Sequence, residues 1–200
     1  MSKTTDKYTD GWRGTGTYTG EWKDNKPHGE GTMTYTVSGN KYEGLWSEGN
    51  KTKGKMTYAN KYGNKNGFKA YEGEWENNLP HGKGMLKWHN GAKYDGQWEN
   101  GIKHGEGVMT YASGVIYEGE YKAGVENGEG KLTYLNGDVY KVWYQHEKQI
   151  SKEKVYGAEA QDNLESVVTT DVAGDSASDG TTGSATVGAT DNTSDDTRTM

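Results

Sequence analysis

A five-residue signature, Tyr-x-Gly-x-Trp, recurs along this chain and constrains its fold more than any other feature. It stands at Tyr18-Gly20-Trp22, Tyr42-Gly44-Trp46, Tyr71-Gly73-Trp75 and Tyr94-Gly96-Trp98, with a variant at Tyr117-Gly119-Tyr121. A Gly-x-Gly follows at Gly29-Gly31, Gly82-Gly84, Gly105-Gly107 and Gly128-Gly130, and Gly54 stands alone in the second unit. Two residues past the second Gly comes Met33, Met56, Leu86, Met109 or Leu132; two further on comes Tyr35, Tyr58, Trp88, Tyr111 or Tyr134. The period is 23 residues from Tyr71 to Tyr140, the first unit is one residue longer, and the second spans 29. A fixed period of this length marks a repeat array.

Side chains at i, i+2 and i+4 of a strand share a face. Tyr94, Gly96 and Trp98 therefore point one way, and Gly105, Gly107, Met109 and Tyr111 make a second strand with the same alternation. Glu99-Asn100-Gly101-Ile102-Lys103-His104 is predicted as the turn between them, and Ala112-Ser113-Gly114 as the turn that follows. Each unit is one antiparallel hairpin. Glycine inside a strand normally weakens it. Here, lacking a Cβ, it leaves a flat recess on which a Tyr or Trp ring can lie. Stacked hairpins then bury one another's aromatics, which a lone hairpin does not do. The opposite face is polar, with Glu21, Glu43, Glu72, Glu74, Asp95, Glu118 and Glu120 on the first strands. Lys55, Lys83, Lys87 and Lys131 lie on the second strands, placed for cross-strand pairing.

Composition supports a thin β structure. Only 30% of residues are hydrophobic and the mean hydropathy is −1.10, too polar for an ordinary core, yet 31 Gly, 15 Tyr and 7 Trp argue against a chain disordered throughout. Without cysteine there are no disulfides or thiolate metal sites. The polar start, Met1 to Lys7, lacks the apolar stretch of a secretory signal. No run approaches the ~18 apolar residues of a membrane-spanning helix. A cytoplasmic protein is expected, peripheral to a membrane or to the cytoskeleton. The net charge of −6 resides in the tail: residues 151–200 carry three Lys/Arg against ten Asp/Glu, and the rest of the chain is near neutral.

Tyr-x-Gly-x-Trp-x₅-His-Gly-x-Gly, clearest at Tyr71–Gly84 and Tyr94–Gly107, resembles the MORN (membrane occupation and recognition nexus) repeat. The resemblance implies an all-β fold: an elongated single-layer antiparallel array of stacked hairpins with an aromatic-lined groove. Residues 1–17 hold a degenerate half repeat, and residues 18–139 five repeats. Residues 140–156 hold a capping strand, with Val142 in place of Gly, and a short element that reads equally as helix or strand. Residues 157–200, rich in Asp, Ser, Thr, Gly and Ala, are expected to be a disordered acidic tail.

His28, His81 and His104 share a turn position, but adjacent hairpins hold equivalent residues ~9–10 Å apart, too far to share a zinc ion. No metal, cofactor or catalytic group is therefore expected, and the acidic columns read as a solvated face. The column Trp22, Trp46, Trp75, Trp98 and Tyr121 is first a packing element. Because a single layer has no second sheet to cover it, some ring surface is expected to stay open as a binding groove. The long second unit contributes a basic loop with Lys61, Tyr62, Lys65, Phe68 and Lys69.

The resemblance implies a non-enzymatic scaffold that binds protein partners in a cytoskeletal or membrane-associated assembly. A peripheral module for anionic phospholipid is the second reading, resting on the basic loop. A carbohydrate-binding repeat is the third. Nucleic acid is not among the expected partners; open solenoid ends make a homo-oligomer one of them.

Overall fold

The computed structural model describes residues 3–10, 14–59, 67–145 and 148–156. The expectations for Lys61, Tyr62, Lys65 and the tail at 157–200 lie outside the described residues. Among those described there is no helix, and so none long and apolar enough to cross a membrane. They form thirteen strands: β1 (Thr4–Asp10), β2 (Gly14–Lys23), β3 (Lys26–Tyr35), β4 (Lys41–Ser47), β5 (Asn50–Thr57), β6 (Phe68–Glu76), β7 (Leu79–Trp88), β8 (Lys93–Glu99), β9 (Ile102–Thr110), β10 (Ile116–Lys122), β11 (Val125–Thr133), β12 (Val139–Gln145) and β13 (Lys148–Tyr156). They hydrogen-bond in chain order as one open antiparallel sheet. At ~4.8 Å per strand the sheet has a contour of roughly 60 Å.

Hairpin pairs are closed by two-residue turns whose residues both have positive φ: Asp24-Asn25, Glu48-Gly49, Asn77-Asn78, Asn100-Gly101 and Ala123-Gly124. This is the type I′ geometry that matches strand twist, and it explains the Asn, Asp and Gly there. The turn expected at 99–104 is thus only Asn100-Gly101, because Ile102–His104 already pair in β9. The short element expected at the end of residues 140–156 is a strand over Lys148–Tyr156, β13, and forms the sheet's last edge.

Register is set by glycine. Gly20 stands opposite Gly31, Gly31 opposite Gly44, Gly44 opposite Gly54, Gly54 opposite Gly73, and so on to Gly130, which meets Val142. Cross-strand glycines leave both backbones bare, and a tyrosine covers the gap. A Cβ on Gly31 would lie 2.1 Å from the Tyr18 hydroxyl, and one on Gly84 2.1 Å from that of Tyr71. Tyr42, Tyr71, Tyr94 and Tyr117 are each flanked across both neighbouring strands by the Met/Leu column, as Tyr42 is by Met33 and Met56, whereas Tyr18 has Met33 on one side and Asp6 on the other.

Just past the glycine ladder most hairpins bulge. Gly20 pairs with Gly31, but Glu21 already pairs with His28, so Gly29 and Glu30 are extra. Gly29, Gly82, Gly105 and Gly128 take positive φ there, a conformation costly for a residue with a Cβ. The second repeat has Thr52 at that position and skips only one residue, between Leu45↔Lys53 and Trp46↔Lys51. Over three bulge glycines lies the oxygen of a partner side chain, Glu21, Glu74 or Gln97, where a Cβ would stand. In the second repeat Leu45 takes that place, and the glycine is absent as well.

Candidate functional site

The inner face carries the aromatic column. Each Trp ring stands edge-on to the Tyr of its own repeat and to the Tyr of the preceding one. Trp46 lies 5.1 Å from Tyr42 and 5.3 Å from Tyr18; Trp75 lies 5.0 Å from Tyr71 and 5.6 Å from Tyr42. Trp98 and Tyr121 continue the pattern at 5.3 Å from Tyr71 and 4.9 Å from Tyr94. T-shaped pairing sets the positive edge of one ring against the negative face of the next. Polar atoms are met across the same repeat boundary. The indole Nε1 of Trp46, Trp75 and Trp98 donates to the carbonyls of Gly31, Gly54 and Gly84 at 3.3, 3.2 and 2.9 Å. The Tyr18, Tyr42, Tyr71 and Tyr94 hydroxyls donate at 3.0 Å to the carbonyl three residues on, beside the bulge or at it.

The consequence corrects the expectation of an open groove along this column. Trp46, Trp75, Trp98 and Tyr121 are at most 4% exposed, because the rings cover one another and no second sheet is needed. Only Trp22, next to the N-terminal strand, is partly open; it meets Tyr8 at 6.0 Å and donates to the Thr4 carbonyl. Of the basic-loop residues that are described, Phe68 turns inward between Tyr58 and Trp88, at 5.7 and 5.9 Å, while Lys69 stays exposed on β6. His81 and His104 lie 3.3 and 3.5 Å from Glu76 and Glu99 of their own hairpins.

Two features escaped sequence reasoning. The first is a buried ion pair: Lys51 Nζ lies 2.8 Å from Asp10, both side chains fully enclosed. The ammonium also stands 5.5 Å from the Tyr35 ring, 5.6 Å from Tyr42, 5.2 Å from Trp46 and 6.0 Å from Trp75. Tyr35 donates its hydroxyl to Asp10. The visible signal was a lysine at the position cross-strand from Trp46, where Pro27 and Pro80 face Trp22 and Trp75.

The second is on the outer face of the last repeats, where an open groove of about 660 Å³ is lined by Asp95, Glu106, Glu118, Val108, Val139 and Val155, among others. Glu118 pairs with Lys131, and Glu129 with Lys141 at 3.0 Å. Beside the groove Trp143 is 45% exposed and Val155 59%, with Ile150 and Tyr156 also exposed on β13.

A meander of short hairpins that covers its own aromatic face defines the class: a β-hairpin repeat array, stabilised between neighbours rather than around a central core. The MORN repeat profile matches residues 18–39, 42–61, 71–93, 94–116 and 117–139, more than half of the chain, and the chain belongs to that family. It is similar to MORN repeat-containing protein 3 of Xenopus laevis, at 40% identity over 68 residues. That match covers 34% of this chain and 28% of the relative, so the chain spans under a third of the relative it matches. MORN repeat proteins are generally non-catalytic repeat proteins.

Proposed function

We propose that the protein is a non-enzymatic scaffold that binds a protein partner through the outer face of its C-terminal repeats. The observation that carries this reading is the concentration of exposed apolar side chains there. Trp143, Ile150, Val155 and Tyr156 all lie on the last two strands, beside a groove floored by Gly107, Gly119 and Gly130 and rimmed by charge. Exposed aromatics next to a groove are the usual anchors of protein recognition. The scaffold role is supported by the rigid, self-covered array, which holds such a surface at a fixed place on a long sheet.

Proximity labelling in the source cell with the full chain and with a Trp143→Asp, Val155→Asp variant tests the reading. The variant should keep its β-type circular dichroism and lose a discrete set of labelled proteins. An unchanged set would overturn it. Binding of the unmodified chain to anionic vesicles at physiological salt, undiminished in the variant, would put lipid recognition in its place.

A further inference from the structure

The inner face repeats one arrangement at each hairpin. The residue cross-strand from the Trp is the repeated position, and in the second repeat it sits among four rings: the loop-edge aromatic of the previous repeat, the Tyr and Trp of its own, and the Trp of the next. In the second repeat that residue is Lys51, and the rings are Tyr35, Tyr42, Trp46 and Trp75. Across the array the position holds Pro27, Lys51, Pro80, Lys103 and, in the fifth repeat, Glu126. Prolines fill the space with apolar atoms, and lysines offer an ammonium to the ring faces. Lys103 stands over Tyr94 at 5.5 Å and Tyr121 at 5.0 Å. Glu126 does neither.

The rings equivalent to those around Lys51 are Tyr111, Tyr117, Tyr121 and Tyr144. Tyr117 meets Tyr121 and Tyr144 edge-on, each at 5.6 Å, and Tyr121 faces Glu126 across the β10–β11 pair. The Tyr111 hydroxyl donates to Glu126 Oε1 at 2.7 Å, as Tyr35 donates to Asp10 in the second repeat. There the likeness ends. Asp10 is neutralised by Lys51, whereas among the described residues no cation pairs with Glu126 and its Oε2 has no partner. Burial first, then the charge of Glu126, holds all four tyrosine hydroxyls above their ordinary range. A second polar atom nearby, on the residue cross-strand from Glu126, also lacks a partner. Because Tyr121 replaces the Trp whose Nε1 would cross to the preceding hairpin, its hydroxyl is buried with no hydrogen-bond partner, although the residue is only 2% exposed. Tyr111, Glu126 and Tyr144 are only partly buried, so the space opens to solvent.

We propose that Glu126 with Tyr111, Tyr117, Tyr121 and Tyr144 forms a binding site for an alkylammonium group, which takes the place that the Lys51 ammonium fills in the second repeat. Ring faces attract the cation, the free Glu126 oxygen pairs with it, and the Tyr121 hydroxyl offers an acceptor lone pair to an N–H. The group is either a lysine side chain of a partner or a quaternary ammonium. Both present the same charge, but only a primary ammonium can use the hydroxyl. The site is on the inner face and does not depend on the outer-face docking surface.

The test is titration of the full-length chain, followed by tyrosine fluorescence and calorimetry, with n-butylammonium and tetramethylammonium chlorides. Sodium chloride and neutral tert-butanol serve as controls. Saturable binding of at least one ammonium, not shared by either control, is expected. Stronger binding of n-butylammonium identifies the lysine-type ligand, and stronger binding of tetramethylammonium the quaternary one. Glu126→Gln should weaken it about tenfold with unchanged circular dichroism. Glu126→Lys, which restores a tethered ammonium, should abolish it. Absence of saturable ammonium binding, equal binding of tert-butanol, or full binding by Glu126→Gln would overturn the proposal.

Discussion

At the scale of single residues, the stability of this array depends on atoms that are missing. The cross-strand glycines are needed for space, since at Gly96 an added Cβ would sit 2.5 Å from the Tyr94 hydroxyl and 2.6 Å from the Gly107 Cα. The backbone of β9 cannot retreat without breaking the β8–β9 ladder, and the Tyr94 ring is held between Leu86 and Met109. Gly96→Ala should therefore destabilise the protein by about 1–3 kcal/mol, the range for overpacking a filled site, visible as a lower midpoint in urea. An unchanged midpoint would mean that the ring has another place to go. Sequence reasoning found the recess and the ring that lies in it. It did not find that the tyrosine hydroxyl goes on to a backbone carbonyl, because that carbonyl is exposed by a bulge, and bulges are read from register.

At the scale of elements, the hairpins are alike in sequence but are not equally joined. Most neighbours are linked by a Trp indole reaching back to a glycine carbonyl and by nesting of the turns: the amides of Gly49, Gly101 and Gly124 donate to the carbonyls of Pro27, Pro80 and Lys103 at 2.9, 2.8 and 3.0 Å. The Asn77-Asn78 turn has no glycine, and there the Asn78 side chain accepts from the Lys51 amide at 3.0 Å instead. β1, which also receives the Trp22 indole on its Thr4 carbonyl, has an additional link, Asp10 on Lys51. An enclosed ion pair tolerates loss of both partners better than loss of one. Lys51→Met alone should destabilise by about 3–5 kcal/mol, and combining it with Asp10→Leu should recover a large part. Purely additive urea denaturation energies would show that the pair does not act as a unit.

At the scale of the whole molecule, the continuous tyrosine ladder makes stability depend on alkaline pH. Burial pushes Tyr18 from 10.0 up to about 12, and Tyr42, Tyr71 and Tyr94 are raised further for the same reason. A tyrosine whose folded value is raised binds its proton more tightly when folded, so its contribution is fully present below the unfolded value. That contribution is lost as pH rises towards the folded one. The array should be stable to about pH 10 and lose stability between pH 10 and about 12. Tyrosinate absorbance should then rise together with loss of the β-type circular dichroism. Ionisation of all tyrosines near pH 10 with the sheet intact would contradict the burial of the ladder.

Spacing alone determined the all-β hairpin array and the aromatic face, because a two-residue periodicity with glycine at fixed places leaves few ways to bury Tyr and Trp. The accessibility of that face was decided in three dimensions. Whether the Trp column is open or closed depends on rings from successive hairpins meeting edge-on, and the twist of the sheet sets those distances. The same holds for Asp10 and Lys51, 41 residues apart, and for Glu126 among four tyrosines. Each is an ordinary charged residue in the sequence, and its environment exists only once neighbouring strands bring the rings around it.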